Sequence, residues 1–103
     1  MSAVSFHPDA FIDLDDIWEF IAQDNIDAAD RAVAEIFDTI RALAPFSQQG
    51  HRRPDLTSRP LRFHRVRDYL IAYAPDEKPL CVIAVMHGHR SPRVMAALLR
   101  DRE

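Results

Sequence analysis

The residues LRFHRVRDYLIAYAPDEKPLCVIAVMHGHR, 61–90, decide how the rest of the chain is arranged. Their apolar runs are rich in Tyr, Phe, Ile and Val, side chains that pack well on a pleated, half-buried surface. Turn chemistry breaks them twice, at Arg67-Asp68 and at Pro75-Asp76-Glu77-Lys78-Pro79. Two prolines so close together cannot sit inside a central ladder, because neither has an N–H to donate. The stretch therefore predicts a three-stranded antiparallel meander ending in His87-Gly88-His89-Arg90. Strand alternation sends Arg62, His64 and Val66 to one side of the first strand and Leu61, Phe63 and Arg65 to the other.

Upstream, residues 46–60 carry Gly50, Pro54 and Pro60 and no apolar period, so they read as a connecting loop. Before it, Ala29, Val33, Ile36, Ile40 and Leu43 recur at helical spacing between an Asn25 cap and a Pro45 stop. Ala28, Ala29, Ala32 and Ala34 leave room for close approach along this helix. An earlier helix of about fourteen residues is carried by Phe11, Leu14, Trp18 and Ile21, with Ala10 and Ile17 beside them. Asp9 is its expected N-cap, Asp13, Asp16 and Glu19 its outer side, and Phe11 and Trp18 its contribution to the core. The short break at Gln23-Asp24-Asn25 folds the two helices into an antiparallel hairpin. Ala3-Val4-Ser5-Phe6-His7 alternates in character before Pro8 and predicts a short strand at an edge or joined to the sheet.

Downstream, Ser91 and Pro92 open a last short helix with Val94, Met95, Leu98 and Leu99 as its apolar side. The terminal Arg100-Asp101-Arg102-Glu103 is expected to fray, and Gly88 to supply a positive φ at the strand end. The resulting fold class is α+β, with an N-terminal strand and an antiparallel helical hairpin packed on an antiparallel sheet.

Composition narrows the functional classes. A length of 103 residues, 48% of them hydrophobic, suits one domain spanning 1–103. The acidic start and the lack of a long apolar run point to a soluble, cytoplasmic protein with no membrane role. Cys81 is the sole cysteine, read as a buried core thiol, which excludes an internal disulfide. No spacing recommends a zinc site from His7, His64 and His87, and no metal or other cofactor is expected. The net charge of −3 divides unevenly. Residues 1–50 hold two arginines against ten carboxylates, and residues 51–103 hold eleven Lys or Arg against six. The basic half is expected to face an acidic or anionic partner.

Taken together, HPDAFIDLDDIWEFIAQDN, Ala28-Ala29, Pro45, Gly50-His51-Arg52-Arg53-Pro54-Asp55-Leu56, LRFHRVRDYLIAY and VIAVMHGHR follow one another in an order that resembles the RelE/ParE superfamily of toxins from type II toxin–antitoxin pairs. The likeness covers nearly the whole chain and is nearer to ParE-like members. It implies a small toxin neutralised by a cognate antitoxin, expected to be ParD-like with a ribbon-helix-helix fold. For the ParE-like branch it implies inhibition of DNA gyrase by a protein that is not itself an enzyme, with DNA touched only through antitoxin or gyrase. For the RelE-like branch it implies a metal-independent endoribonuclease acting on ribosome-bound mRNA, and an inactive binding-only homologue is the third reading.

Residue chemistry bears on that choice. RNA cleavage without a metal needs a proton acceptor, a proton donor and cations on the phosphate. Arg62, Arg65, His87 and Arg90 are the candidates if the chain is a nuclease. The tyrosine, or tyrosine with lysine, that active RelE-like nucleases carry near the C-terminus is missing from SPRVMAALLRDRE. Otherwise no catalytic residue is expected, and Arg52, Arg53, Arg62, Arg65, His87, His89 and Arg90 form the expected target- or antitoxin-binding surface. Strand alternation means that these arginines cannot all share one face.

Overall fold

The computed structural model describes residues 4–103. In chain order they form β1 (Val4–Phe6), α1 (Pro8–Ala22), α2 (Ile26–Leu43), a 3₁₀ turn (Ala44–Phe46), β2 (Arg62–Val66), β3 (Tyr69–Ala74), β4 (Leu80–His87) and α3 (Pro92–Arg100). The predicted meander is present, and β1 joins it to give a four-stranded sheet in the order β1-β4-β3-β2. β1 runs parallel to β4, pairing Val4, Ser5 and Phe6 with Leu80, Cys81 and Val82. Ala3, which the sequence places in this strand, lies outside the described residues.

The sheet is buried on both faces. Leu14 and Ile17 of α1 and Ile36, Ile40 and Leu43 of α2 pack on Val66, Tyr69, Ile71, Tyr73, Val82 and Val85. On the opposite face Met95 and Leu99 of α3, with Leu56 and Leu61, cover Phe63, Leu70, Ile83, Ala84 and Met86. Double burial explains why β3 and β4 read as nearly unbroken apolar runs. A fully buried Ile or Leu contributes about 1.5–3 kcal/mol, so these two layers dominate the stability. Strand alternation is interrupted once. Ala72 pairs with Ala84 but Tyr73 with Val82, leaving Ile83 as an extra residue on β4.

Several local expectations need correction. The N-cap of α1 is His7, not Asp9: its Nδ1 accepts the Asp9 N–H at 3.1 Å, with Pro8 at the first helical position. The buried stripe of α1 runs through Ala10, Leu14 and Ile17, which turns the helix away from the Phe11–Trp18 register. Phe11 is half exposed and rests on Phe6 at a centroid distance of 4.9 Å, while Trp18 reaches sideways to donate its Nε1–H to Asp30 at 2.8 Å. In α2, Asn25 caps the Ala28 N–H as expected, Ala29 and Ala32 are fully buried, and Ala34 is exposed. Residues 46–60 are not loop throughout: His51 forms a bridge with Phe63. Cys81 is only partly buried, and Val94 on α3 is exposed. Gly88 has no positive φ. That conformation falls instead to Arg67, φ 53°, in the tight β2–β3 turn.

Candidate functional site

The expected basic surface divides between two ends of the β2–β3 ribbon. At the end where β2 begins, the Gly50 N–H donates to the Tyr73 hydroxyl at 2.8 Å, and that hydroxyl donates to the Ser47 carbonyl at 2.8 Å. Tyr73 is wholly buried, and burial pushes its phenol above the ordinary value. Arg62 Nη1 donates to the Gly50 carbonyl at 2.7 Å. Arg53 grips Asp55 through Nε at 3.0 Å and Nη2 at 2.8 Å, and this fork holds the Asp55 carboxyl below its usual range. Arg62 and Arg53 are thus spent on their own chain. Arg52 is exposed.

At the opposite end, the β2–β3 turn meets the end of β4. The Gly88 N–H donates to the Asp68 carbonyl at 2.7 Å, and a Cβ on Gly88 would come within 3.0 Å of the Arg65 Nη1. Gly88 is there for close approach, which lets the Arg65 guanidinium lie over the strand end. His87 stands edge-on to Tyr69 with ring centres 5.5 Å apart, and His89 lies 5.1 Å from His87. The His89 N–H donates to His87 Nδ1 at 3.2 Å, which leaves Nε2 as the nitrogen His87 presents outward. Arg90 borders a groove of about 290 Å³ between α1 and β4, floored by Ile17, Tyr69 and Val85 and flanked by Phe20. Among the described residues no carboxylate lies within ion-pair distance of Arg65 or Arg90, whereas Arg67 in the adjoining turn is paired with Glu35. Asp68 stands 4.0 Å from His89.

The structure therefore brings Arg65, His87, His89 and Arg90 to one corner and places Arg52, Arg53 and Arg62 elsewhere. Arg65 lies beside Gly88 on the α3 side of the sheet, whereas His87 and Arg90 border the groove on the α1 side, and each of these accessible donors can hold an anion or a carboxylate. Of the two tyrosines only Tyr69 lies at this corner, where it lines the groove. Tyr69 is 8% exposed, and burial, then the Asp68 charge, raises its phenol. Among the described residues no group of three His, Cys, Asp or Glu side chains is arranged to hold a metal ion. No helix among them is long and apolar enough to cross a membrane.

One structural group escapes a reading of the sequence. Arg102, expected to fray, is 8% exposed and donates Nη2 to Asp13 Oδ1 at 2.8 Å. The hydrogen bond to Asp13 raises the Arg102 pKa more than burial lowers it. Asp13, expected on the outer side of α1, also accepts the Val85 N–H at 2.9 Å. Helical spacing contains a trace of this: Arg102 falls seven residues after Met95 and three after Leu99, two residues past the end of α3 and in line with its buried face.

Comparison with known proteins agrees with this architecture. Residues 4–92 match the family model of the ParE toxin of the type II toxin–antitoxin system, parDE. None of the curated proteins matches the chain significantly. A match that runs from β1 to the first residue of α3, on a fold of helical hairpin and sheet, establishes the kinship: the chain belongs to the ParE toxin family of type II toxin–antitoxin systems.

Proposed function

We propose that this ParE-family toxin inhibits DNA gyrase, that a co-encoded ParD-like antitoxin neutralises it, and that the corner formed by Arg65, His87, His89 and Arg90 is the part that meets a macromolecular partner. The observation that carries the reading is the state of the polar groups at that corner. Its guanidinium groups have no carboxylate partner among the described residues, while the Tyr73 hydroxyl is engaged by Gly50 and Ser47 at the far end of the ribbon. A surface of this kind supports binding by charge and shape, and the residues after Arg90 hold no tyrosine or lysine of the kind that active RelE-like nucleases carry near the C-terminus.

Induction in cells without the antitoxin tests the target. Filamentation, a DNA-damage response and altered supercoiling are the expected outcome, with purified chain blocking gyrase supercoiling in vitro. Arrested translation with cut transcripts overturns the gyrase reading in favour of the nuclease alternative. That alternative has its own observation, two adjoining imidazoles with Arg90 beside His87 on the rim of the groove. If neither response occurs, a binding-only role replaces both.

A further inference from the structure

The edge of the sheet beside β4 is covered by a strand along only half its length. β1 pairs with Leu80–Val82, the His7 N–H donates to the Val82 carbonyl at 2.8 Å, and the chain then turns into α1. Past the bulge, two side chains stand in for a neighbouring strand. Asp13 Oδ2 accepts the Val85 N–H, as a carbonyl would, and Arg102 Nη1 donates to the Ile83 carbonyl at 3.2 Å, as an amide would. Arg59 holds this arrangement from behind by donating Nη1 to the carbonyls of Leu99 and Arg102 at 3.2 and 3.4 Å. The Asp13 and Arg102 charges satisfy each other, so the pair acts as a stopper on the edge.

The stopper ends at Val85. In an antiparallel ladder a residue turns its N–H and C=O to the same side, and neighbours alternate. Val85 points its N–H toward Asp13 and away from β3, so its carbonyl and both backbone groups of His87 face the uncovered side. The Arg90 N–H takes the His87 carbonyl at 3.2 Å. What remains is the Val85 carbonyl and the His87 N–H, two residues apart. A parallel neighbour engages that spacing with a single residue, which donates to the first and accepts from the second.

We propose that this half-edge receives an extended segment of the antitoxin, running parallel to β4, with apolar residues on either side of the pairing residue and a carboxylate beyond the second. The flanking side chains would point to the same side as Val85 and His87, into the groove floored by Ile17 and Tyr69 and flanked by Phe20. A helix could fill that groove but has no mid-length backbone groups free for Val85 and His87, so the backbone selects an extended chain. Charge fixes the direction of the acidic residue. Asp16 borders the α1 side of the groove, Asp13 is neutralised by Arg102, and Arg90 stands unpaired among the described residues beyond His87. The identity of the partner rests on the antitoxin reading above; the edge geometry does not.

The test uses the toxin co-expressed with the product of its neighbouring reading frame. Amide hydrogen exchange at His87 is expected to slow at least about tenfold in the complex, while Val85, already bonded to Asp13, changes little. Two variants then isolate the backbone bond. His87→Ala removes the imidazole and keeps the N–H, whereas His87→Pro also removes an N–H that faces away from the ladder and leaves the sheet bonds intact. His87→Pro should weaken the complex roughly fivefold more than His87→Ala, with circular dichroism confirming that both fold. A complex that forms with His87 still exchanging freely and the two variants binding equally overturns the edge proposal and leaves the antitoxin reading standing. Failure of the wild-type chain to form any complex overturns both. Protection of His87 that rises with toxin concentration alone assigns the edge to a second copy and overturns the proposed occupant.

Discussion

Gly50 and Gly88 sit at opposite ends of the β2–β3 ribbon, each close to an arginine of β2, and they serve opposite purposes. A Cβ on Gly50 would meet the Tyr73 hydroxyl at 2.6 Å and the Phe63 carbonyl at 2.8 Å, both buried and both fixed by other bonds. A Cβ on Gly88 would meet the Arg65 Nη1 and the Asp68 carbonyl, each at 3.0 Å, and the first is the far end of an exposed, flexible side chain. The first end turns its polar groups inward and holds the fold. The second leaves them available. Density of arginine in the sequence therefore does not measure how much cationic surface a partner can reach, because nearby carbonyls and carboxylates claim part of it.

The contrast is sharpest under substitution of the two glycines and their neighbours. Gly50→Ala should destabilise by about 3 kcal/mol, since neither the Tyr73 ring nor the β2 backbone can give way without breaking a buried bond. Urea denaturation measures this directly, and a loss below about 1 kcal/mol would show that the Gly50 end is as yielding as the other.

Tyr73→Phe comes next, at roughly 2 kcal/mol, because the Gly50 N–H and the Ser47 carbonyl both lose a buried partner. It carries a second signature in alkali. The folded chain keeps the Tyr73 proton above the ordinary value near 10, where the unfolded chain releases it. Stability from this source is full below that pH and declines as pH rises toward the folded value. Denaturation across the mildly to strongly alkaline range should show a shallower decline for the Tyr73→Phe variant than for the wild type.

Gly88→Ala is expected to cost only about 1 kcal/mol, since Arg65 can swing aside and the Asp68 carbonyl need move only a few tenths of an ångström. Its functional effect should exceed its structural one, because displacing Arg65 disperses the corner. A near-native melting curve with reduced growth inhibition is the expected pair of results. Full toxicity would detach the corner from function.

Much of this architecture can be read from the chain because its signals are local. Period-two and period-3.6 patterns, the Asn25 cap and the prolines at 75 and 79 each act within a few residues of themselves. The two-sided burial of β3 is not read that way: Leu70-Ile71-Ala72-Tyr73 suits a half-buried strand as well, and α3, Leu56 and Leu61 cover the second face from distant parts of the chain. The face of α1 is easily mistaken because Phe11 and Trp18 are large and fit a helical period as well as Ala10 and Ile17 do. Only the sheet beneath decides which stripe faces inward. Arg102 and Asp13 lie 89 positions apart, so no local pattern could pair them. The division of the arginines is half visible. Strand alternation separates Arg62 from Arg65, but the capture of Arg62 by the Gly50 carbonyl depends on a loop whose course the sequence does not state.

Arg65→Ala should have the smallest effect on folding of the series, within about 0.5 kcal/mol, because the side chain is exposed and has no ion pair among the described residues. Arg62→Ala, three positions earlier, should lose about 1 kcal/mol with the bond to the Gly50 carbonyl. If the corner meets the partner, the order reverses in a growth assay: Arg65→Ala loses toxicity while Arg62→Ala retains it at temperatures where it stays folded. The conservative Arg65→Lys separates charge from shape, since an ammonium keeps the charge but cannot lie flat over Gly88 or present two parallel donors. Recovery by lysine would mean that charge alone suffices, and failure would mean that the planar fork is what the partner reads. Equal toxicity of Arg62→Ala and Arg65→Ala, both folded, would erase the distinction between the two ends of the ribbon.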